Sequence, residues 1–252
     1  MSNSKHIDTL VLQYKPCINA DESIKKIDRI LSKQKIKKKT LVICPELSLQ
    51  KYICITKDKK SFNQAIDLKS PIFDEVKKIT KKYNIYLCIN IFEKNKNNYF
   101  NTLVILNTSG EIVLKYNKKN IPSEECYEER YYFKQPSNNY KLFSINGVKI
   151  GVLICWDQWH SAPYLFMKKN KVNMIICPTA IGFTEKNNKK INLPNEKEKW
   201  CEVIKANSLM INTPILISNR IGKESSKPYS VTFWGSSFIT DSNGTIAKKL
   251  LK

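Results

Sequence analysis

Short apolar runs rich in Ile, Val and Leu recur along the chain, and amphipathic stretches with helical spacing separate them. Elements in that order restrict the chain to a layered α/β architecture, because each strand and each helix must bury one face against another layer. Ile7–Tyr14 and Leu41–Pro45 read as strands. Between them Asp21 begins a helix reaching about Leu31, with Ile24, Ile27, Ile30 and Leu31 on one face. Ser70–Lys82 predicts a second helix with Pro71 in its first turn. Ile85–Phe92, Phe100–Asn107 and Glu111–Tyr116 follow as strands, the last two joined through Ser109–Gly110. Asn146–Gly147 predicts a tight type I′ turn between strands Tyr140–Ile145 and Val148–Cys155. Then come helix Ala162–Lys169, strand Met174–Pro178, helix Glu196–Met210 and strand Ile215–Asn219. The polar stretch Glu185–Asn195 reads as a surface loop, and two last strands, Trp234–Thr240 and Thr245–Lys249, flank Asn243–Gly244. Hairpins beside helix-separated strands imply mixed sheets.

At 252 residues the chain suits one domain, residues 1–252, large enough to bury a core without staples. No apolar run approaches the about 20 residues of a membrane span, and MSNSKHIDTL lacks the apolar stretch of a secretory signal. The expected location is the cytoplasm, with no membrane partner. Eight cysteines occur, but none forms a CxxC pair and several lie in apolar runs such as LVICP, YLCIN and MIICP. They read as buried thiols rather than as zinc ligands or disulfides. The formal charge of +21 raises the question of nucleic acid. Of 43 basic residues only Arg29, Arg130 and Arg220 are arginines, and the lysines are spread over the whole chain. Readers of bases and phosphates favour the arginine fork, so specific nucleic-acid binding is not expected.

Residue scarcity narrows the chemistry. Only His6 and His160 are available, so any Ser-His-Asp or Cys-His mechanism would have to use His160. There are seven glycines and no GxxxxGK[ST] or GxGxxG phosphate loop. No HExxH or clustered metal-ligand spacing is present, so neither a metal nor a cofactor is expected. A catalyst here must work with cysteine, carboxylate and lysine.

Three segments place those groups at strand ends. GVLICWDQWH is an apolar strand that breaks at Cys155, where the following backbone N–H groups can face a developing oxyanion. Taken alone, Cys155 reads more readily as a buried structural thiol. CPEL delivers Glu46 just past a strand, either as a general base or as a loop or capping carboxylate. YNKKNIP puts Lys118 at another strand end, although one lysine among so many carries little weight alone.

Together the three segments resemble the signatures of the nitrilase, or carbon–nitrogen hydrolase, superfamily. ICWDQW at 154–159 and KNIPSEECYEERYYF at 119–133 are similar to its N-carbamoylputrescine amidase branch, as are PTAIG at 178–182, NRIG with Glu224 at 219–224, and FWGSSFI at 233–239. The resemblance runs from Leu10 to about Ala247. It implies a four-layer α-β-β-α sandwich with mixed sheets, Cys155 as nucleophile, Glu46 as general base, Lys118 as oxyanion stabiliser and Glu129 as a second, orienting glutamate. Trp156, Asp157, Asn120, His160, Thr179 and Ala180 are implied around the substrate. Two departures flank the site: Asn120 stands where the branch has His, and His160-Ser161-Ala162 where it has Phe-Pro-Glu. The sequence ends at Lys252, short of the C-terminal extension of the family, and a homodimer or higher homo-oligomer is expected.

The activity implied is hydrolysis of a small amide or ureido compound without any cofactor, with N-carbamoylputrescine yielding putrescine, ammonia and carbon dioxide. Glu124, Glu125, Glu128 and Glu129 cluster after Lys118, and Asp157 follows the nucleophile. Carboxylates lining a pocket would attract a substrate ammonium and reject a substrate carboxylate. The alternatives are an ω-amidase or β-ureidopropionase-like amidase on the same residues, and a catalytically silent binding protein on the same fold.

Overall fold

The computed structural model describes residues 6–137 and 139–250. Its first half comprises β1 (Thr9–Val11), α1 (Ala20–Ser32), β2 (Leu41–Ile43), α2 (Pro71–Tyr83), β3 (Tyr86–Asn95), β4 (Asn98–Leu106) and β5 (Ile112–Asn117). These strands form a five-stranded sheet in chain order. β1, β2 and β3 run parallel, and β4 and β5 add on antiparallel. The start of α1 lies earlier than the sequence predicts. Asn19 caps it, its Oδ1 accepting from the Glu22 N–H at 3.0 Å, and Asp21 falls within the first turn.

The second half comprises α3 (Glu129–Tyr132), β6 (Lys141–Ile145), β7 (Val148–Val152), α4 (Ser161–Lys169), β8 (Met174–Thr179), β9 (Gly182–Lys186), β10 (Lys189–Lys190), α5 (Glu196–Ile211), β11 (Ile215–Asn219), β12 (Ile221–Ser226), β13 (Tyr229–Trp234), β14 (Phe238–Thr240) and β15 (Ile246–Lys249). A six-stranded sheet has the order β15-β14-β11-β8-β7-β6, with β11, β8 and β7 mutually parallel. A small antiparallel sheet, β10-β9-β13-β12, stands beside it.

Strand alternation explains the layering. Along β4, Leu103 and Ile105 face one core while Val104 and Leu106 face another, and Leu41 and Ile43 oppose Val42 on β2 in the same way. One face meets α1 and α2 through Ile27, Leu31, Phe73 and Val76. The other meets the six-stranded sheet through Ile150, Val152, Ile176 and Leu216. Tyr164 and Met167 of α4 and Trp200 and Ile204 of α5 cover that sheet. A Cβ at Gly151 would collide with the Met167 sulfur, so glycine lets α4 lie close on β7. The result is the α-β-β-α sandwich of mixed sheets expected from the sequence.

Several stretches differ from the sequence expectation: the expected strands Ile7–Tyr14 and Leu41–Pro45 shorten to Thr9–Val11 and Leu41–Ile43. The strand expected to run to Cys155 stops at Val152, and a 3-10 helix opens at Cys155 (Cys155–Trp159). The expected loop Glu185–Asn195 contains the end of β9 and all of β10, paired through Lys186 and Lys189. The expected strand Trp234–Thr240 is split, Trp234 closing β13 and 238–240 forming β14. β12 lacks an apolar run because ladder pairing with β13 holds it instead. Among the described residues no helix is long and apolar enough to cross a membrane.

Candidate active site

The ends of β2 and β5 bring Glu46 and Lys118 together beneath the facing sheet. Past β2 the chain bends at Leu47, whose φ is 47°, and its N–H donates to Asn90 Oδ1 at 2.5 Å. Asn90 donates in turn to Asn101 Oδ1 at 2.8 Å, and Asn101 Nδ2 to Glu46 Oε1 at 2.7 Å. This chain of amides aims the Glu46 carboxylate. Lys118 continues the β5 ladder, its N–H bonded to the Asn101 carbonyl at 2.8 Å.

Lys118 Nζ donates to Glu46 Oε1 at 2.8 Å and to both oxygens of Glu129, at 2.8 and 2.7 Å. All three side chains are buried. Glu129 opens α3 and also accepts from the Tyr52 hydroxyl at 3.2 Å. Glu46 thus has one saturated oxygen. Its other, Oε2, is buried and has no hydrogen-bond partner among the described residues. One ammonium faces two carboxylates in a medium where unpaired charge is costly. Burial works against the Lys118 ammonium, but Glu129 and Glu46 outweigh it and hold it well above the usual lysine range. Burial, with Glu46 alongside, pushes the Glu129 carboxyl up to about 7 against the pull of Lys118.

Cys155 sits at the first position of its 3-10 helix with φ 41°, a left-handed conformation that costs a non-glycine residue about 1–3 kcal/mol. Its Sγ lies 4.0 Å from the Ala180 carbonyl. Burial pushes the thiol well up, Glu46 adds to this and Lys118 opposes it. Burial and Glu46 both favour the protonated sulfur, so its attack calls for a base that takes the proton. The opening N–H groups of such a helix have no partner within it, so they can serve an oxyanion.

A clamp from the second sheet fixes the Glu46 segment. Arg220, buried just past β11, donates through Nη1 to the carbonyls of Glu46 (3.2 Å) and Leu47 (2.8 Å). Through Nη2 it donates to the Gln50 carbonyl (3.1 Å) and Glu224 Oε1 (2.5 Å). Glu224 Oε2 accepts from the Tyr52 N–H at 2.7 Å, and the guanidinium lies over the rings of Tyr52 and Phe233. In the sequence Arg220 and Glu224 stand out only as parts of a motif; lone charges in a β-rich context are their available signal. Asn90 and Asn101 escape sequence reasoning too, although an Asn inside the apolar run LCINIF is a sign of a buried polar role.

Cys155 opens into a cavity of about 580 Å³ lined also by Glu129, Trp156, Tyr127, Ala180 and Trp234. Its wall also includes Glu124, Glu196, Asn192 and Lys199. Partial desolvation and the neighbouring Glu196 push the Glu124 carboxyl up. Glu125 also lines the cavity but is engaged by Lys186 and Tyr229, and Glu128 pairs with Lys57 outside it. Of the six residues implied around the substrate, Trp156 and Ala180 line the cavity. Thr179 is buried at the end of β8, Asn120 and Asp157 bond each other behind the nucleophile, and His160 lies against the Trp156 ring away from the cavity wall. Among the described residues no group of His, Cys, Asp and Glu could hold a metal ion.

The sequence profile of carbon–nitrogen hydrolases matches this chain over residues 11–251. The chain belongs to the carbon–nitrogen hydrolase family. A citrullinase of Francisella tularensis subsp. tularensis is 31% identical over 95% of this chain and 82% of its own. An N-carbamoylputrescine amidase of Oryza sativa subsp. japonica is 29% identical over 90% and 76%. A carbon–nitrogen hydrolase from Helicobacter pylori G27 superimposes with a TM-score of 0.84 at 26% identity, covering 97% of this chain and 85% of that one. This hydrolase therefore has relatives named for two ureido substrates.

Proposed function

We propose that the protein hydrolyses the C–N bond of a small ureido compound carrying a free ammonium group, with N-carbamoylputrescine as substrate. The observation that carries the chemistry is the asymmetry of Glu46: Lys118 and Asn101 saturate Oε1, while Oε2 is buried without a partner among the described residues, and the charge of Glu46 acts on the Cys155 thiol. A carboxylate so held has one acceptor to offer, and the Cys155 proton is the one that must move. Sγ then attacks the ureido carbon, and negative charge develops on the carbonyl oxygen. Lys118 meets it by swinging one N–H away from the doubly bonded Glu129, keeping one bond to each carboxylate; the Trp156 N–H is the second donor. Protonated Glu46 returns its proton as the C–N bond breaks and ammonia leaves. Water, giving its proton to the same carboxylate, hydrolyses the S-carbamoyl (thiocarbamate) adduct; Glu46 passes that proton to the departing Cys155 sulfur, and the resulting carbamic acid loses carbon dioxide to leave the amine. No cofactor enters these steps.

Glu124 and Glu196 support the cationic tail. They lie on the wall of a cavity otherwise rich in aromatic and aliphatic groups, and a substrate ammonium would relieve their mutual repulsion. Lys199 on the same wall favours a second reading, a ureido amino acid such as citrulline, whose carboxylate it would meet while the acidic pair takes the ammonium. Ammonia release from N-carbamoylputrescine, citrulline, a ureido acid lacking the amine, and a simple ω-amide separates the readings. The expected order places N-carbamoylputrescine first. Faster turnover of citrulline selects the second reading, faster turnover of the plain ureido acid or the ω-amide overturns the ammonium requirement, and turnover of none leaves a binding protein.

A further inference from the structure

Asp157 follows the nucleophile by two residues and is expected from the sequence among the substrate contacts, yet it does not line the cavity. It is fully buried, and four donors converge on its carboxylate. Oδ2 accepts from the Tyr116 hydroxyl at 2.7 Å and the Ile154 N–H at 3.0 Å. Oδ1 accepts from the Asn120 N–H and Asn120 Nδ2, both at 2.9 Å. An ionised carboxylate offers about four lone-pair sites, so none is left for a ligand. The identity of the donors carries the inference. Tyr116 and Asn120 stand two residues either side of Lys118, and Ile154 immediately precedes Cys155. One side chain therefore ties both flanks of the lysine to the hinge of the nucleophile, across the gap between the two sheets.

We propose that Asp157 is a positioning residue of the reaction, a buried carboxylate that sets where the Cys155 sulfur stands relative to the Lys118 ammonium. The left-handed backbone of Cys155 supplies the need for it. A strained turn persists only where its surroundings fix it, and the bond from the Ile154 N–H is the contact Asp157 makes to that turn. The chemistry of the donors explains why Asp is required. Two of the four are backbone N–H groups that cannot reverse, and the Asn120 amide is also engaged with the Tyr140 hydroxyl at 3.3 Å. An amide at position 157 would offer one acceptor oxygen and point its own N–H groups at fixed donors. The same geometry accounts for Asn120, whose amide joins the lysine segment to this node.

The proposal rests on Cys155 and Lys118 acting together in the proposed reaction, and the test keeps the two apart. Asp157→Asn and Tyr116→Phe are compared with the wild type, after thermal unfolding shows a single cooperative transition. With the panel compound that the wild type turns over fastest, Asp157→Asn should lower kcat by about a hundredfold and Tyr116→Phe by about tenfold, with KM within about threefold in both. The double variant should be no slower than Asp157→Asn alone, because the two substitutions break the same hydrogen bond. Iodoacetamide alkylation of Cys155, followed by peptide mass, needs no substrate and should slow about tenfold in Asp157→Asn. If the wild type turns over nothing in the panel, the functional reading fails and the alkylation ratio still decides the positioning role. An unchanged kcat in a cooperatively folded variant, a raised KM at constant kcat, or alkylation as fast as in the wild type would overturn it. Should Asp157→Asn fail to fold, the kcat and alkylation rate of Tyr116→Phe decide by the same criteria.

Discussion

Replacing Arg220 by Met tests how much of the site is held from the second sheet. The substitution keeps an unbranched apolar stem but removes every donor of a fully buried guanidinium. Glu224 would keep only its bond from the Tyr52 N–H and become a buried carboxylate without a cation. Removing one partner of such a pair costs about 3–5 kcal/mol. The carbonyls of Glu46, Leu47 and Gln50 each lose a charged donor, and the lost stacking on Tyr52 and Phe233 adds about 1 kcal/mol. The expected total, about 5 kcal/mol, is a large share of the 5–15 kcal/mol typical of a folded domain. With a urea slope near 3 kcal/mol/M, the midpoint should fall by roughly 2 M. The second arm is Arg220→Met combined with Glu224→Met. If the orphaned charge dominates, removing it should restore roughly half of the loss, because an apolar pair in place of a buried ion pair is often near neutral. The assay is urea unfolding by circular dichroism, with turnover per folded molecule measured beside it. Two results refute the reasoning: a single-variant loss below about 1 kcal/mol, or a double variant whose loss equals the sum of the two single losses. Folded Arg220→Met should also turn over slowly, since two of the lost bonds hold the backbone at Glu46 and Leu47.

Cys155→Ala should fold normally and show no turnover; activity in Cys155→Ala removes it from the mechanism. Lys118→Arg should lose at least about 10²-fold in rate by steady-state assay, because a planar fork cannot reproduce three bonds made by one compact nitrogen, and near-normal rates would shift the role to another lysine. Burial raises the folded-state Glu129 carboxyl from 4.5 to about 7, so its contribution to stability is fully present below pH 4.5 and is lost as pH rises through about 7. Glu129→Gln should lack that loss, its stability relative to the wild type climbing by a few kcal/mol across the window in unfolding titrations, at about 1.4 kcal/mol per unit; a flat difference refutes the shift. Light scattering at micromolar concentration should show a dimer, and a monomer alone would contradict the assembly expected from the family resemblance.

What is legible in the sequence and what is hidden follow from one physical distinction. Glu46, Lys118 and Cys155 each interrupt an apolar run at its end, and polarity breaking out of a strand is visible in one dimension. The partners that aim them are scattered. Asn90 and Asn101 lie on adjacent antiparallel strands, where their meeting depends on register. Arg220 reaches Glu46 from a strand far along the chain. Asp157 is readable as a carboxylate near the nucleophile, but only the position of Tyr116 and Asn120 turns it away from the cavity. The glutamates after Lys118 divide similarly: they are neighbours in sequence, and the cavity admits Glu124 while ion pairing takes Glu128 elsewhere. Glu196 gives no signal because it opens α5, some 70 residues from Glu124 in sequence.

The division of labour between the sheets makes the site a reporter of how they pack. The first sheet supplies Glu46 from β2 and Lys118 from β5, and the second supplies Cys155 after β7 and Arg220 after β11. Neither half holds both the base and the sulfur. Ser218 of β11 donates across the gap to the carbonyls of Leu12 (2.6 Å) and Ile43 (3.3 Å), so hydrogen bonds as well as apolar contact fix the register of the two layers. A buried hydroxyl with two such acceptors is directional, where Ile–Ile contact alone would tolerate sliding. The charges at the centre cannot supply that rigidity. With two carboxylates on one ammonium, their own electrostatics favour any motion that admits water. Arg220 and Asp157 therefore act as opposite kinds of anchor, a cation gathering carbonyls around the base and an anion gathering N–H and O–H groups around the sulfur. Each meets backbone groups of a segment just past a strand end, Arg220 the carbonyls after β2 and Asp157 the N–H groups of Asn120 after β5 and Ile154 after β7.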